Sequence, residues 1–444
     1  MSTTDRVPYK IDAAYALVSL GSTTIWSFLS GWMLYFYLPP EGSARVPPAA
    51  YGIVVLCVRI VNALIAAPIG VLSDRTRSRW GRRLPYMFVS ALPMLVLFCL
   101  IWIPPLEGQS AWNLAYLALV YLLYNGAYSL NQITYTALLP ELALTDRHRV
   151  RISAWSSSFF LIGMVASGLV GPLIDRVGYA ASALIYALAM LPAFYLPFLV
   201  LRERPARAKA QNSQMTVRQI VSAILRNPAF RVMTGAGILY WATTTLIQGV
   251  IPFIVTEVCA LTEADTPLFY IPGLVASLLC YPIITWLANR VDKWILFSAS
   301  LLASAVVLPG LMLIGEWIPL PLKVQGIIWI TLQAIAMSGV TMLPPAFGAE
   351  IADDDAARTG ERHEGLFYAA WGLLDQAVSA IAIALLSWML LLGRSRLDPR
   401  GPLGVRITGL AGGAMMLAAF FIFLGYPLRS QRAGKEPDHA QDHG

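Results

Sequence analysis

Polar side chains recur every three or four residues inside segments that are otherwise apolar. Ser19, Thr23, Trp26 and Ser30 form one series, and Tyr121, Asn125, Tyr128, Gln132 and Tyr135 a second. Trp241, Thr244, Thr245 and Gln248 form a third, and Tyr368, Trp371, Asp375 and Ser379 a fourth, with Gln376 beside it. Such spacing puts each series on one face of a helix. Rings, amides and hydroxyls on facing helices would suit stacking on a sugar ring, or hydrogen bonding to another neutral polar solute. The other reading, interhelical hydrogen bonding inside a bundle, stays open beside it.

Two formal charges lie near the middle of long apolar runs, Arg59 and Asp375. Charges at that depth in a bilayer are costly, so each is a functional candidate. If they pair across a helix interface, protonating Asp375 would break the pair, which is a route to proton coupling. A permanent structural pair, or an Arg59 bound to backbone carbonyls, is the competing reading.

A third group of charges is dense. In "SDRTRSRWGRRLPY", Arg75, Arg77, Arg79, Arg82 and Arg83 crowd into nine residues next to Asp74. A nucleic-acid patch would need a basic surface on a soluble module, and 57% hydrophobic composition with only 13% charged residues argues against one. Asp353, Asp354 and Asp355 face Arg358 and Arg362 in a later break, where a salt-bridge network with a gating or folding role is expected.

Cys57, Cys99, Cys259 and Cys280 stand singly in apolar segments, and the His residues lie in charged loops or the tail. No metal site, Walker loop, dinucleotide fingerprint or nucleophile elbow is present, so neither a cofactor nor an enzyme activity is expected.

These residues need elements that cross a bilayer, each of roughly 20 apolar residues. Twelve such stretches are predicted, at 12–38, 48–72, 84–105, 111–139, 152–174, 179–201, 230–257, 266–288, 293–316, 321–349, 364–393 and 402–428. The first is too long for a signal-peptide core and is read as retained. The fold class is therefore an all-α multi-pass membrane protein.

With the N-terminus inside, 24 of the 32 Lys and Arg residues fall on the cytoplasmic side and seven outside, with Arg59 alone in a span. The positive-inside rule then puts both termini in the cytoplasm and makes the Arg cluster a cytoplasmic loop. Arg394, Arg396, Arg400 and Arg406 run against that bias, but C-terminal loops weigh less.

The longest break divides the spans six and six, predicting bundles at 1–201 and 230–428, a linker at 202–229 and a disordered cytoplasmic tail at 429–444. Within the linker, "TVRQIVSAILR" has an amphipathic pattern. Faint echoes between the halves, "GVLSDR" against "WLANRVDK", fit parallel repeats that rock about a midplane site. Gly163, Ser167 and Gly171, and again Gly273 and Ser277, are small-residue faces whose plainest role is close packing.

The run "GVLSDRTRSRWGRRLPY", with Gly70, Asp74, Arg75 and Arg79-Trp80-Gly81, resembles the loop between helices two and three of the glycoside-pentoside-hexuronide:cation symporters, the melibiose-permease-like branch of the major facilitator superfamily. "RTGERHEGLFYAAWG" resembles that family's signature before helix eleven, "LPELALTDRHRVRISAW" with Glu141 its third loop motif, and "LRERP" with "ILRNPAF" its central linker. The resemblance implies twelve helices in two pseudo-symmetric bundles and alternating access in a bacterial inner membrane. It makes Gly70, Asp74, Arg75, Arg79, Glu141, Arg358 and Arg362 a gating set, with Asp74 as the latch.

It also shows departures. The two acids that ligate the coupling cation in the family fall here on Asn62 and Ala66, within "RIVNALIAAP". The family's charged sugar and helix-eleven positions fall on Thr23, Gln132, Ser157 and Gln376. A sodium site wants carboxylates to offset dehydration, so proton coupling is expected rather than sodium coupling. The expected partners are a small-molecule substrate, the lipid bilayer and a proton, with the chain acting as a monomer and no nucleic acid or metal involved. A carrier of amphiphiles or lysolipids, and a non-transporting assembly or sensor protein that has lost its cation site, are the two competing readings.

Overall fold

The computed structural model describes residues 9–40, 42–76, 78, 80–142, 146–201, 227–288, 290–315, 319–359, 364–392 and 403–430. The predicted linker helix, the tail from 431 onward, Arg79 and Arg362 lie outside the described residues.

The first half is built from α1 (Tyr9–Tyr37), α2 (Pro48–Arg75), α3 (Leu84–Leu100), α4 (Ala111–Leu142), α5 (Asp146–Gly168) and α6 (Val170–Tyr195). The second has α7 (Pro228–Phe253), α8 (Pro267–Ala288), α9 (Lys293–Val307), α10 (Leu322–Met342), α11 (Glu364–Met389) and α12 (Leu403–Phe423). A further helix, Pro344–Thr359, follows α10 after a break at Leu343.

Local chemistry explains several boundaries. Asn227 caps α7 by accepting from the Phe230 amide at 3.0 Å, and Pro228 takes the first position, where its missing N–H costs nothing. Pro252 ends the α-helical ladder of α7, and a π-helical turn, Ile254–Val258, carries the chain on. Inside α6, Gly178 adopts φ 80° and ψ 172°, a conformation that only glycine reaches cheaply. The chain reverses there, so the stretch before Gly178 extends α5 past its break at Leu169 and the sixth span starts at Tyr179.

Among the described residues, six stretches are long and apolar enough to cross a membrane by length and composition. Pro48–Asn62, Leu84–Leu100 and Leu374–Met389 are apolar but shorter. Outward, Leu64, Val89, Leu199, Leu279 and Val306 are exposed, an apolar coat that suits lipid rather than water.

Within the first half α1 packs on α5 and α6, and α4 on α2 and α3; within the second α7 packs on α11 and α12, and α10 on α8 and α9. The small-residue faces are used for packing. A Cβ at Gly163 would lie 2.9 Å from the Leu20 carbonyl oxygen, and one at Gly273 would lie 3.4 Å from the Ala334 methyl. Between the halves α2 meets α11, and α1 meets α7. A Cβ at Gly52 would come within 2.6 Å of Ala384 Cα and Ser387 Oγ, so this crossing is closed backbone to backbone.

Candidate functional site

A cavity of about 500 Å³ opens between the halves, walled by α1, α2 and α4 on one side and α7 and α11 on the other. From α4, Tyr121, Tyr124 and Tyr128 form a ladder with ring centroids 6.4 and 5.9 Å apart. Asn125 and Gln132 share that wall; Gln132 Nε2 donates to Ser22 Oγ at 2.5 Å. Trp26 and Ser30 come from α1, and Trp241, Thr244, Thr245 and Gln248 from α7. The α11 wall supplies Asp375, Gln376, Ser379 and Ile383.

Asn62 is the polar joint of the site. It is buried, accepts from Ser129 Oγ at 3.1 Å, and donates through Nδ2 to Gln376 Oε1 at 3.3 Å. One neutral amide thus ties α2 to α4 within the first half and to α11 in the second. Where a coupling cation would need charged oxygens, the site has an amide pair that satisfies itself.

Arg59 and Asp375 both face the cavity, and among the described residues they form no ion pair. Asp375 Oδ1 instead accepts from Ser379 Oγ at 3.4 Å, and Ser379 Oγ accepts from Thr245 at 3.1 Å. The Arg59 guanidinium lies beside Tyr121, with Nε buried and without an acceptor. In place of a direct pair, the cavity wall carries two opposite charges, each turned to neighbours on its own half.

Two expected site residues lie elsewhere. Thr23 is buried against Gly163 of α5, since its side chain points at the α1–α5 contact. Trp371 is buried too, stacked 5.9 Å from Phe230, with Nε1 donating to Thr234 Oγ1 at 3.4 Å. Tyr135, from the α4 series, stacks on Tyr15 at 4.3 Å and bonds Ser19 at 2.8 Å. Ser157 is exposed on α5. Leu29, Tyr124, Ser129, Ile133 and Ile383 line the cavity without having been anticipated. Tyr124 could have been found, since it stands three residues after Tyr121 and four before Tyr128.

The gating set is only partly visible. Gly70, Asp74 and Arg75 lie in the last turns of α2, and Glu141 in the last turn of α4. Gly81 takes φ 106°, and Ser78 Oγ donates to its carbonyl at 2.7 Å, which shapes the turn in the Arg cluster. Arg358 pairs with Asp354 at 2.9 Å along one helix, and Lys293 with Glu350 at 3.4 Å.

Among the described residues, the hydrogen bonds that join the halves lie at the cavity or at the end opposite the Arg cluster. There Tyr35 donates to Thr256 at 3.3 Å, Tyr179 to Glu263 at 3.0 Å, and Trp388 Nε1 to the Ala49 carbonyl at 3.2 Å.

A central cavity shared by two helical halves, closed at one end, is the architecture of an alternating-access carrier. The family described as MFS/sugar transport protein matches residues 14–430. The chain belongs to that family. It is a multi-pass membrane transporter for a small polar solute, and not an enzyme. Its relatives include the glucuronide carrier protein homolog of Escherichia coli, 23% identical over 442 residues, which cover 96% of this chain and 94% of that protein. The uncharacterized symporter sll1374 of Synechocystis is 30% identical over 168 residues, 37% of this chain and 30% of the relative's length. A variant of the nucleoside transporter NupG has the same fold, with a TM-score of 0.67 at 14% identity, covering 94% of this chain and 99% of that one.

Proposed function

We propose that this transporter moves a sugar or glycoside by alternating access, driven by protons through Asp375. The carrying observation is the 500 Å³ cavity, whose tyrosine ladder and amides offer ring stacking together with hydrogen bonds. One chain supplies every wall, which supports a monomer as the working unit. Glucuronide carriage by a relative's name points to the same solute class.

Asp375 is the cavity's acid, and Arg59 is its counter-charge across the interface. Protonating Asp375 removes the attraction between the halves, while the Asn62–Gln376 joint is neutral and indifferent to sodium. Thr23 and Trp371 act through packing, and Trp26, Asn125, Tyr128, Gln132, Trp241, Gln248 and Gln376 contact the solute. The gating set, Asp74 with its neighbours, holds the Arg-cluster end. We assign that end to the cytoplasm of a bacterial inner membrane, with both termini inside.

A recess beside Arg59, lined by Ser30, Tyr51 and Tyr121 together with Leu29, Met33, Leu34 and Leu386, holds about 10 Å³, too little for an acyl chain at that place. The test is uptake into proteoliposomes, preceded by a thermal-shift screen of sugars, glycosides, nucleosides and lysolipids. Stabilisation by a glycoside and accumulation under an inward pH gradient are expected. Stabilisation by lysolipids alone, or accumulation under a sodium gradient alone, would overturn the reading.

A further inference from the structure

The end opposite the Arg cluster carries a second cavity, of about 670 Å³, separate from the transport cavity. Its walls come from both halves: Tyr35, Arg45, Asp175 and Tyr179 from the first, Glu257 and Glu263 from the second. Glu263 sits where the halves meet. Its Oε1 accepts from Tyr179 at 3.0 Å, and its carbonyl oxygen accepts from Thr266 Oγ1 at 2.6 Å. A Cβ at Gly171 would overlap that same carbonyl oxygen, so the turn holding Glu263 is docked directly on first-half backbone. The side chain is partly buried in a contact that must part whenever this end opens.

We propose that Glu263 is a proton-binding site of this seal, distinct from Asp375, and that its protonated form holds the end closed. The inference rests on alternating access and on the orientation given above, which makes this the outer end.

The physical argument compares the two states. With the seal parted, the carboxylate stands in water and is ionised near neutral pH. Closing strips part of its hydration, which penalises the charged form. Asp175 adds repulsion from the α5–α6 turn, and Glu257 shares the same wall. Arg45, from the α1–α2 connection, opposes them, and the Tyr179 and Tyr35 hydroxyls favour the charged form. Lys323 adds little, since it is engaged with Asp265 at 3.2 Å. The loss of water and the Asp175 charge stand against one guanidinium and two hydroxyls and outweigh them, so the sealed form binds the proton more tightly. The proton comes from the outer water and forms an O–H on the carboxylate. Falling outer pH then favours the seal, and rising pH favours opening. A difference of one unit in proton affinity between the states changes the open fraction by up to about tenfold.

The test is hydrogen–deuterium exchange of the full chain in nanodiscs, between about pH 5 and about pH 8, corrected for the intrinsic exchange rate. Peptides covering 35–45 and 254–266 should become less protected as pH rises. In Glu263→Gln they should stay protected and pH-independent. Tyr179→Phe keeps the ring stacked on Trp102 but removes a donor that favours the charged form, so its profile should shift to higher pH. A merely structural hydrogen bond would instead weaken protection at every pH in Tyr179→Phe and leave Glu263→Gln like the wild type, since the Gln amide oxygen still accepts from Tyr179. Asp375→Asn should keep the wild-type profile while losing pH-driven uptake, which separates failure of this site from failure of the transport reading. A pH-independent wild type, or a Glu263→Gln variant with the wild-type profile, would overturn the proposal.

Discussion

Asp375 stands one helical turn before Ser379 and faces a guanidinium that it does not touch. Such an acid can exchange its proton without first breaking a strong pair, and that makes it suitable for coupling. Asp375→Asn should abolish accumulation under a pH gradient while leaving exchange of labelled for unlabelled solute, both measured in proteoliposomes. Asn62 makes a different prediction because its role is to satisfy neighbours. Asn62→Ala would leave Ser129 and Gln376 without their partner, costing about 0.6–1.7 kcal/mol on the scale of interhelical bonds in membranes. A modest drop in the thermal midpoint in detergent is the readout. Asp12 is a harsher case: it is buried, 2.8 Å from His148 and 2.5 Å from Arg151. Asp12→Ala removes the acid from both bases and should cost about 3–5 kcal/mol, enough to prevent recovery of folded protein.

At the scale of elements, the α2–α11 crossing decides which end is shut. Gly52 lies against Ala384 and Ser387 with no space for a side chain. Gly52→Leu should force the crossing apart and populate the form open at that end, seen as faster deuterium exchange over residues 48–56 and 380–388. Unchanged exchange there would show that the crossing is not the closure. Many of these elements were legible from hydropathy alone, since the predicted spans 48–72, 111–139 and 266–288 coincide with helices to within a few residues. The fifth and sixth were harder. Their boundary is set by the backbone conformation of Gly178, while Leu169 breaks the fifth span within an apolar run where composition gives no signal.

For the whole molecule, the absence of paired acids around Asn62 predicts uptake that is insensitive to replacing sodium with potassium or choline. Sodium-dependent accumulation would contradict this. The Lys and Arg asymmetry predicts that reporters fused at either terminus respond as cytoplasmic, and a periplasmic response would reverse the assignment of the two ends.

The sequence by itself determined the all-helical membrane class and the family, because each depends on composition or on a local run of residues. It also located most of the cavity wall, since helical periodicity places Asn125, Tyr128 and Gln132 on one face whatever lies opposite. What lies opposite was decided only by the tertiary structure. Thr23 and Trp371 obey the same periodicity as Trp26 and Asp375, yet the rotation of α1 against α5 and of α11 against α7 turns them into packing. The separation of Arg59 from Asp375, the Asn62–Gln376 joint and the docking of Glu263 on Tyr179 all join residues more than 80 positions apart. Contacts of that kind depend on how two helical bundles are tilted, and no local pattern in the chain encodes the tilt.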